Sequence, residues 1–204
     1  MQIAASVASL LVLGSAWTLQ VAAVQPESQA NFDLDQFMGR WYELAVVSDC
    51  PHYMQHKREN PVVVALELQH VASESNFTAT AATFRNDSCK ETSTVYSLTD
   101  TPGRFFHHFA RFAADVDSFV VHTDYEEYAV MLQLSTEKPS ETKTTKIKLY
   151  SRSTDISPAA LKLFQSLVRQ HGMSNDAVIK NHSKGECVPG GQATEAKNVT
   201  SAGV

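Results

Sequence analysis

Residues 39–51 read GRWYELAVVSDCP, from Gly39 through Trp41 to Cys50 and Pro51. Aromatic and β-branched side chains fill this run, and glycine and proline bound it, which is the composition of a β-strand. Pro51 lacks the amide hydrogen that a ladder needs, so the strand stops there and leaves Cys50 at its end. The whole chain of 204 residues holds only three cysteines. What Cys50 is for is therefore the first question.

Seven further runs of the same kind follow. They are VVVALELQHV after Pro61, NFTATAATF, TSTVYSLT, GRFFHHFARF, SFVVHTDY, EYAVMLQLS and TTKIKLYSRS. Turn signals such as Asn86-Asp87 and Pro102-Gly103 separate them, and no helical periodicity intervenes. Eight strands in succession predict a closed up-and-down antiparallel barrel or a sandwich. The segment "HYMQHKRE" after Pro51 reads as a loop overhanging one end. A single helix is predicted behind the strands: Ser157 caps it, Pro158 opens it, and Gly172 stops it. Leu161, Phe164, Leu167 and Val168 share one face, which must pack on the outside of the sheet. A short ninth strand is expected in DAVIK.

Residues 1–23 carry no charged side chain and end in small residues, the pattern of a secretory signal peptide. The remainder reads as one domain over 24–189, followed by a polar tail, 190–204, expected to be disordered. A formal net charge of −5 gives no basic field for nucleic acid, and no second apolar run is long enough to span a membrane. Sequons at Asn76, Asn86, Asn181 and Asn198 are the candidate glycosylation sites. In an oxidising compartment three cysteines leave one thiol over. A Cys89–Cys187 bridge would tie down the C-terminal segment and is worth about 4–5 kcal/mol in a chain-entropy account, but counting leaves the other pairings open. Three cysteines are too few for an additional Kunitz-type inhibitor domain.

GRWY at Gly39–Trp41, HTDY at Thr123, Asp124 and Tyr125, and LYSRS at Arg152 stand in an order and at separations similar to those of lipocalins. DCPHYM, CKETSTVYSLTDTPGRF, SFVVHTDYEEYAV and GECVPG further resemble the α1-microglobulin group of that family, in a stand-alone form. The resemblance implies an eight-stranded up-and-down antiparallel lipocalin barrel with one C-terminal helix packed outside. It also implies that Trp41 closes the narrow end beneath Arg152, that Cys89 pairs with Cys187, and that Cys50 is free at the open mouth.

The functional expectations follow from that thiol. His52, His56, Lys57 and Arg58 are placed to stabilise a thiolate, which would make Cys50 a nucleophile and reductant. The resemblance implies a secreted plasma protein that binds small hydrophobic or planar ligands such as heme and scavenges radicals. Cys50, Lys148 and His108 are the expected ligand-binding residues. No obligatory cofactor and no metal site are expected. Two further lysines of the group fall on Phe109 and Ser135 here, and its His-rich segment is replaced by EKPSETK, so His107, His108 and His122 are the histidines left for heme. Adjacent His107 and His108 must face opposite sides of a strand. Phe105, Phe106, Phe109 and Phe112 are read as either cavity wall or core. ANFDLDQF also resembles the opening of the lipocalin that forms the gamma chain of complement component eight, which gives an alternative: a subunit disulfide-linked through Cys50 to a plasma partner, making a heterodimer rather than a monomer. An enzyme is not expected. The prostaglandin-isomerising lipocalin carries its cysteine in the second strand, where PVVVALEL has none, and no hydrolase or phosphate-loop motif occurs.

Overall fold

A computed structural model describes residues 26–71, 75–138 and 140–187. The expected signal segment at 1–23, the tail at 190–204 and the Asn198 sequon lie outside the described residues. Eight long strands run in order: β1 (Gly39–Ser48), β2 (Val64–His70), β3 (Asn76–Arg85), β4 (Ser88–Leu98), β5 (Arg104–Phe109), β6 (Ala114–Thr123), β7 (Tyr128–Glu137) and β8 (Thr142–Ser151). Each pairs antiparallel with the next. β1 pairs with both β8 and β2, so the sheet closes into a barrel. A two-residue β9 (Ile179–Lys180) pairs antiparallel with Ala45 and Val46 of β1, beyond the residues that pair with β2.

The N-terminal end of β1 marks the closed end. Trp41 is buried there among Phe37, Phe77, Phe105 and Tyr150, and its indole Nε1 donates to the Phe37 carbonyl at 2.8 Å. Arg152 lies over its ring at 3.7 Å. The same guanidinium donates to four backbone carbonyls, those of Gln36, Met38, Arg40 and Tyr125, at 2.8–2.9 Å. Gly39 holds a φ of +87° and faces this guanidinium, a conformation that a side chain would strain. The Thr-Asp-Tyr turn is locked beside it. Asp124 accepts from the amides of Glu127 and Tyr128, and Tyr125 reaches across to accept from the Asp33 amide.

The C-terminal helix α3 (Pro158–Gln170) packs outside, as its pattern requires. Ser157 accepts from the Ala160 amide, and Ala160, Phe164 and Val168 bury against Ala45, Val47, Ile147 and Leu149. Two other helices depart from the sequence reading. A one-turn α1 (Leu34–Phe37), capped by Asp33, precedes β1, and the expected loop after Cys50 is a nine-residue helix, α2 (Pro51–Glu59). The reason is local. Pro51 ends the strand, but proline is also a favoured first helical residue, and His56, Lys57 and Arg58 complement the negative end of the helix.

Cys89 and Cys187 form a disulfide that holds the C-terminal segment against Val62 and Phe84. Among the described residues no helix is long and apolar enough to cross a membrane. Replacing Arg152 by lysine should destabilise the domain by about 3 kcal/mol, because an ammonium cannot serve four carbonyls and the indole face together. Urea unfolding monitored by tryptophan fluorescence checks this, and a change below about 0.5 kcal/mol would show that the closed end does not need the clamp.

Candidate functional site

Strand parity sets the inward face. Trp41 points in, so Glu43 does too, and the β-bulge between Glu43 and Ala45 then brings Val46 and Ser48 inward, opposite Lys148 and Lys146 of β8. Lys148 and Lys146 sit beside Met131 and Gln133 of β7 in turn. The lower half of the interior is apolar and well filled. Trp41, Leu68, Phe77, Tyr96 and Met131 leave a space of about 20 Å³, room for a water molecule rather than a ligand. The barrel is thus not hollow throughout. What polarity the interior has is gathered higher up, towards the open end.

At its centre is Glu43, buried on all sides. One carboxylate oxygen accepts from Lys148 at 2.8 Å and the other from Lys57 at 3.0 Å. Desolvation opposes its charge, but the two ammonium groups prevail and hold the carboxyl far below the usual carboxylate range. The Lys148 ammonium is correspondingly raised well above the ordinary lysine value. Lys57 belongs to α2, so this ion triad fastens the helix over the mouth to the barrel wall. Lys57 also donates to the Val62 carbonyl. Asn181, from the C-terminal segment, donates to the Glu43 carbonyl at 2.9 Å.

Cys50 lies at the N-cap of α2, half-buried and free of any disulfide. Its amide donates to Ser48 Oγ at 3.1 Å. The basic residues expected around the thiol are largely engaged elsewhere: Lys57 with Glu43, and His52 and His56 with each other at 4.5 Å between ring centroids. Tyr53 of α2 caps Lys146, whose Nζ sits 3.9 Å from the ring centroid.

His108, an expected ligand residue, is not on the inward face. It stands on the outer face of β5, paired with Asp115 at 2.9 Å, because its neighbour His107 takes the inward position. His107 packs against Tyr96 at 4.6 Å, and its Nδ1 is buried with no partner among the described residues. Burial, then the Lys148 and Lys146 charges, push it down to about 4, so it is a neutral imidazole at physiological pH. His122 is outside as well, bonded to the Tyr128 hydroxyl. Of the four phenylalanines only Phe105 joins the core. Phe106 is exposed, and Phe109 and Phe112 form an exposed pair on the rim.

The carboxamide of Asn181 is turned towards Glu43, with Oδ1 buried. Asn86 is exposed at the tip of the β3–β4 hairpin, and Asn76 is half-buried at the start of β3. The sequence reading missed Glu43, Lys146 and the inward role of His107, and it placed Lys57 beside the thiol rather than on Glu43. An acidic residue two positions after Trp41, and lysines two apart in KIKLY, were the available signals.

Residues 38–185 match the Lipocalin / cytosolic fatty-acid binding protein family. The chain belongs to the lipocalin family. It is 43% identical over 191 residues to Protein AMBP of Pleuronectes platessa, covering 92% of this chain and 53% of that one. The AMBP of Mus musculus is 34% identical, over 85% and 49%. The chain therefore spans about half the length of these curated relatives. Prostaglandin-H2 D-isomerase of Felis catus is 27% identical over 83% of this lipocalin and 88% of its own length. Among solved structures, the siderocalin Ex-FABP superposes with a TM-score of 0.61 at 22% identity, covering 74% of this chain and 97% of that one, which supports the fold. Lipocalins are mostly binding and transport proteins, in keeping with the non-enzyme reading.

Glu43→Gln leaves two buried ammonium groups without their counter-ion and should cost about 3–5 kcal/mol at pH 7. The linkage has a definite sign. A carboxyl depressed on folding stabilises the protein above its unfolded value, about 4.3, and that stability is lost as pH falls through the folded value. Wild type should therefore lose stability steadily below about pH 5 in denaturant titrations, and the variant should show a flatter dependence. Parallel pH profiles would contradict the burial of a charged Glu43.

Proposed function

We propose that this lipocalin is a secreted carrier that takes small hydrophobic or planar ligands at its open end and disarms oxidants or electrophiles through Cys50. The observation that carries this reading is the placement of a disulfide-free, partly exposed thiol at the N-cap of the mouth helix. Ser48, next to Cys50 by its hydrogen bond, faces the same interior as Lys146 and Lys148. The Cys89–Cys187 bridge and the AMBP-like sequence support an extracellular setting.

Heme is the planar ligand that the family resemblance suggests, and the residues allow it only in part. His108 faces away from the interior, and a porphyrin does not fit the space of about 20 Å³ in the lower barrel. The open end offers the orphaned Nδ1 of neutral His107, the Lys146 and Lys148 ammonium groups for acidic substituents, and the thiol. Any heme would be held there, near the surface, with Cys50 as a soft ligand or reductant.

The same accessible thiol supports the second reading, a disulfide to a partner chain. A single discrete adduct on non-reducing gels of the native protein would favour that partner over a scavenger. For the carrier, hemin titrated into wild type should shift the Soret band, with the shift reduced at least severalfold in Cys50→Ser. No absorbance change in either protein removes the heme claim. Binding unaffected by the substitution removes Cys50 from the site.

A further inference from the structure

Lys146 differs from the other inward lysines in having no carboxylate. Both oxygens of Glu43 are taken, one by Lys148 and one by Lys57. Among the described residues no acidic group lies within ion-pair distance of Lys146. Its Nζ rests instead against the Tyr53 ring of α2, at 3.9 Å, and its backbone pairs with Ser48 and Gln133 on the inward face. Lys148, two residues on, shares that face and stays charged because Glu43 holds it.

Two lysines side by side with one counter-ion are chemically unequal. The paired one keeps its proton. The unpaired one loses solvation and feels its neighbour's charge, and these two causes bring it down to about 8. A fifth of it, ~20%, is then a neutral amine at pH 7.4, against ~0.1% for an ordinary surface lysine. A desolvated lysine beside a second cation is the usual arrangement for an amine that attacks carbonyl carbon.

We propose that Lys146, and not Lys148, is a carbonyl-capturing amine that takes small apolar aldehydes at the open end as imines. The proposal rests on the open end being the ligand-accepting region. In the first step the Nζ lone pair forms a bond to the carbonyl carbon, and the C=O π pair moves to oxygen, which takes the proton released by nitrogen. The carbinolamine then loses its hydroxyl and the remaining nitrogen proton as water, and the nitrogen lone pair forms the C=N bond. Amine and aldehyde give imine and water, with no oxidant or reductant involved. The fixed charge of Lys148 on the same face favours the oxyanion formed in the first step. Tyr53 supplies an apolar cover from α2, against which an alkyl or aryl tail can lie.

Hexanal is a suitable probe, with sodium cyanoborohydride to trap the imine as a stable N-hexyl group. The full-length chain is treated briefly at pH 7.4 and mapped by peptide mass spectrometry. N-hexyl should accumulate on Lys146 at least tenfold faster than on the exposed Lys143 of the same strand and than on Lys148. Lys146→Arg keeps the charge and should lose that adduct while the labelling of Lys143 is unchanged. Alkylation of Lys146 no faster than of Lys143, or of Lys148 first, overturns the proposal. Hexanol cannot form an imine and reports reversible binding through isothermal titration calorimetry. Hexanol binding without preferential labelling overturns the amine proposal alone, whereas preferential labelling without hexanol binding supports the amine and counts against the reversible carrier reading.

Discussion

A single buried carboxylate holds the open end of this barrel together. Glu43 joins the wall strand β1 to Lys148 on β8 and to Lys57 on the mouth helix α2, and the backbone beside it is held by Asn181 of the C-terminal segment. Three charges so placed lose much of their hydration, and the mutual attraction roughly repays that loss. The net contribution to stability of keeping the triad is therefore small compared with the cost of breaking it. Its structural consequence is positional: α2 is fixed where its first residue, Pro51, leaves Cys50 at the rim rather than inside the packed core.

The two ends of the barrel use cations differently. At the closed end Arg152 serves backbone carbonyls and an indole face, a guanidinium with four of its five N–H groups already donated. At the open end an excess of lysine over carboxylate leaves Lys146 without a counter-ion, within electrostatic reach of His107 and Cys50. The first arrangement is scaffold. The second carries nucleophiles and soft ligands that nothing else in the described structure consumes. A larger surface cleft, about 320 Å³, lies on the outside near the start of α3 and is lined by Glu126, Glu127 and Asp155, well removed from this chemistry.

Much of this was legible in the residues. The eight strands and α3 follow from alternation and capping, and Trp41, the Thr123–Tyr125 turn and Arg152 fall where their resemblance places them. The bridge between Cys89 and Cys187 needed the resemblance, because counting left the pairing open. What the chain alone did not reveal depends on parity and on competition between like groups. The β-bulge at Glu43/Ala45 shifts the inward set of β1 by one residue, and no local signal announces it. Likewise, which of two adjacent histidines faces in is decided by pairing with Val116 and Asp115 on β6, not by the pair HH itself. Pro51 carried two meanings, strand stop and helix start, and both applied. The filled lower interior is the summed volume of Phe37, Phe77, Tyr96 and Met131, which no motif encodes.

The state of the Glu43 carboxyl tests the account most directly. A carbon-detected NMR titration of the side-chain carboxyl resonances, assigned with a Glu43→Gln reference, reads it without perturbing the protein. With Glu43 clasped by Lys57 and Lys148, its resonance should remain that of a carboxylate down to the pH at which the fold itself is lost. A reversible midpoint near the ordinary glutamate value, about 4.3, in the folded protein would mean that the triad is not formed and that the mouth helix is held some other way.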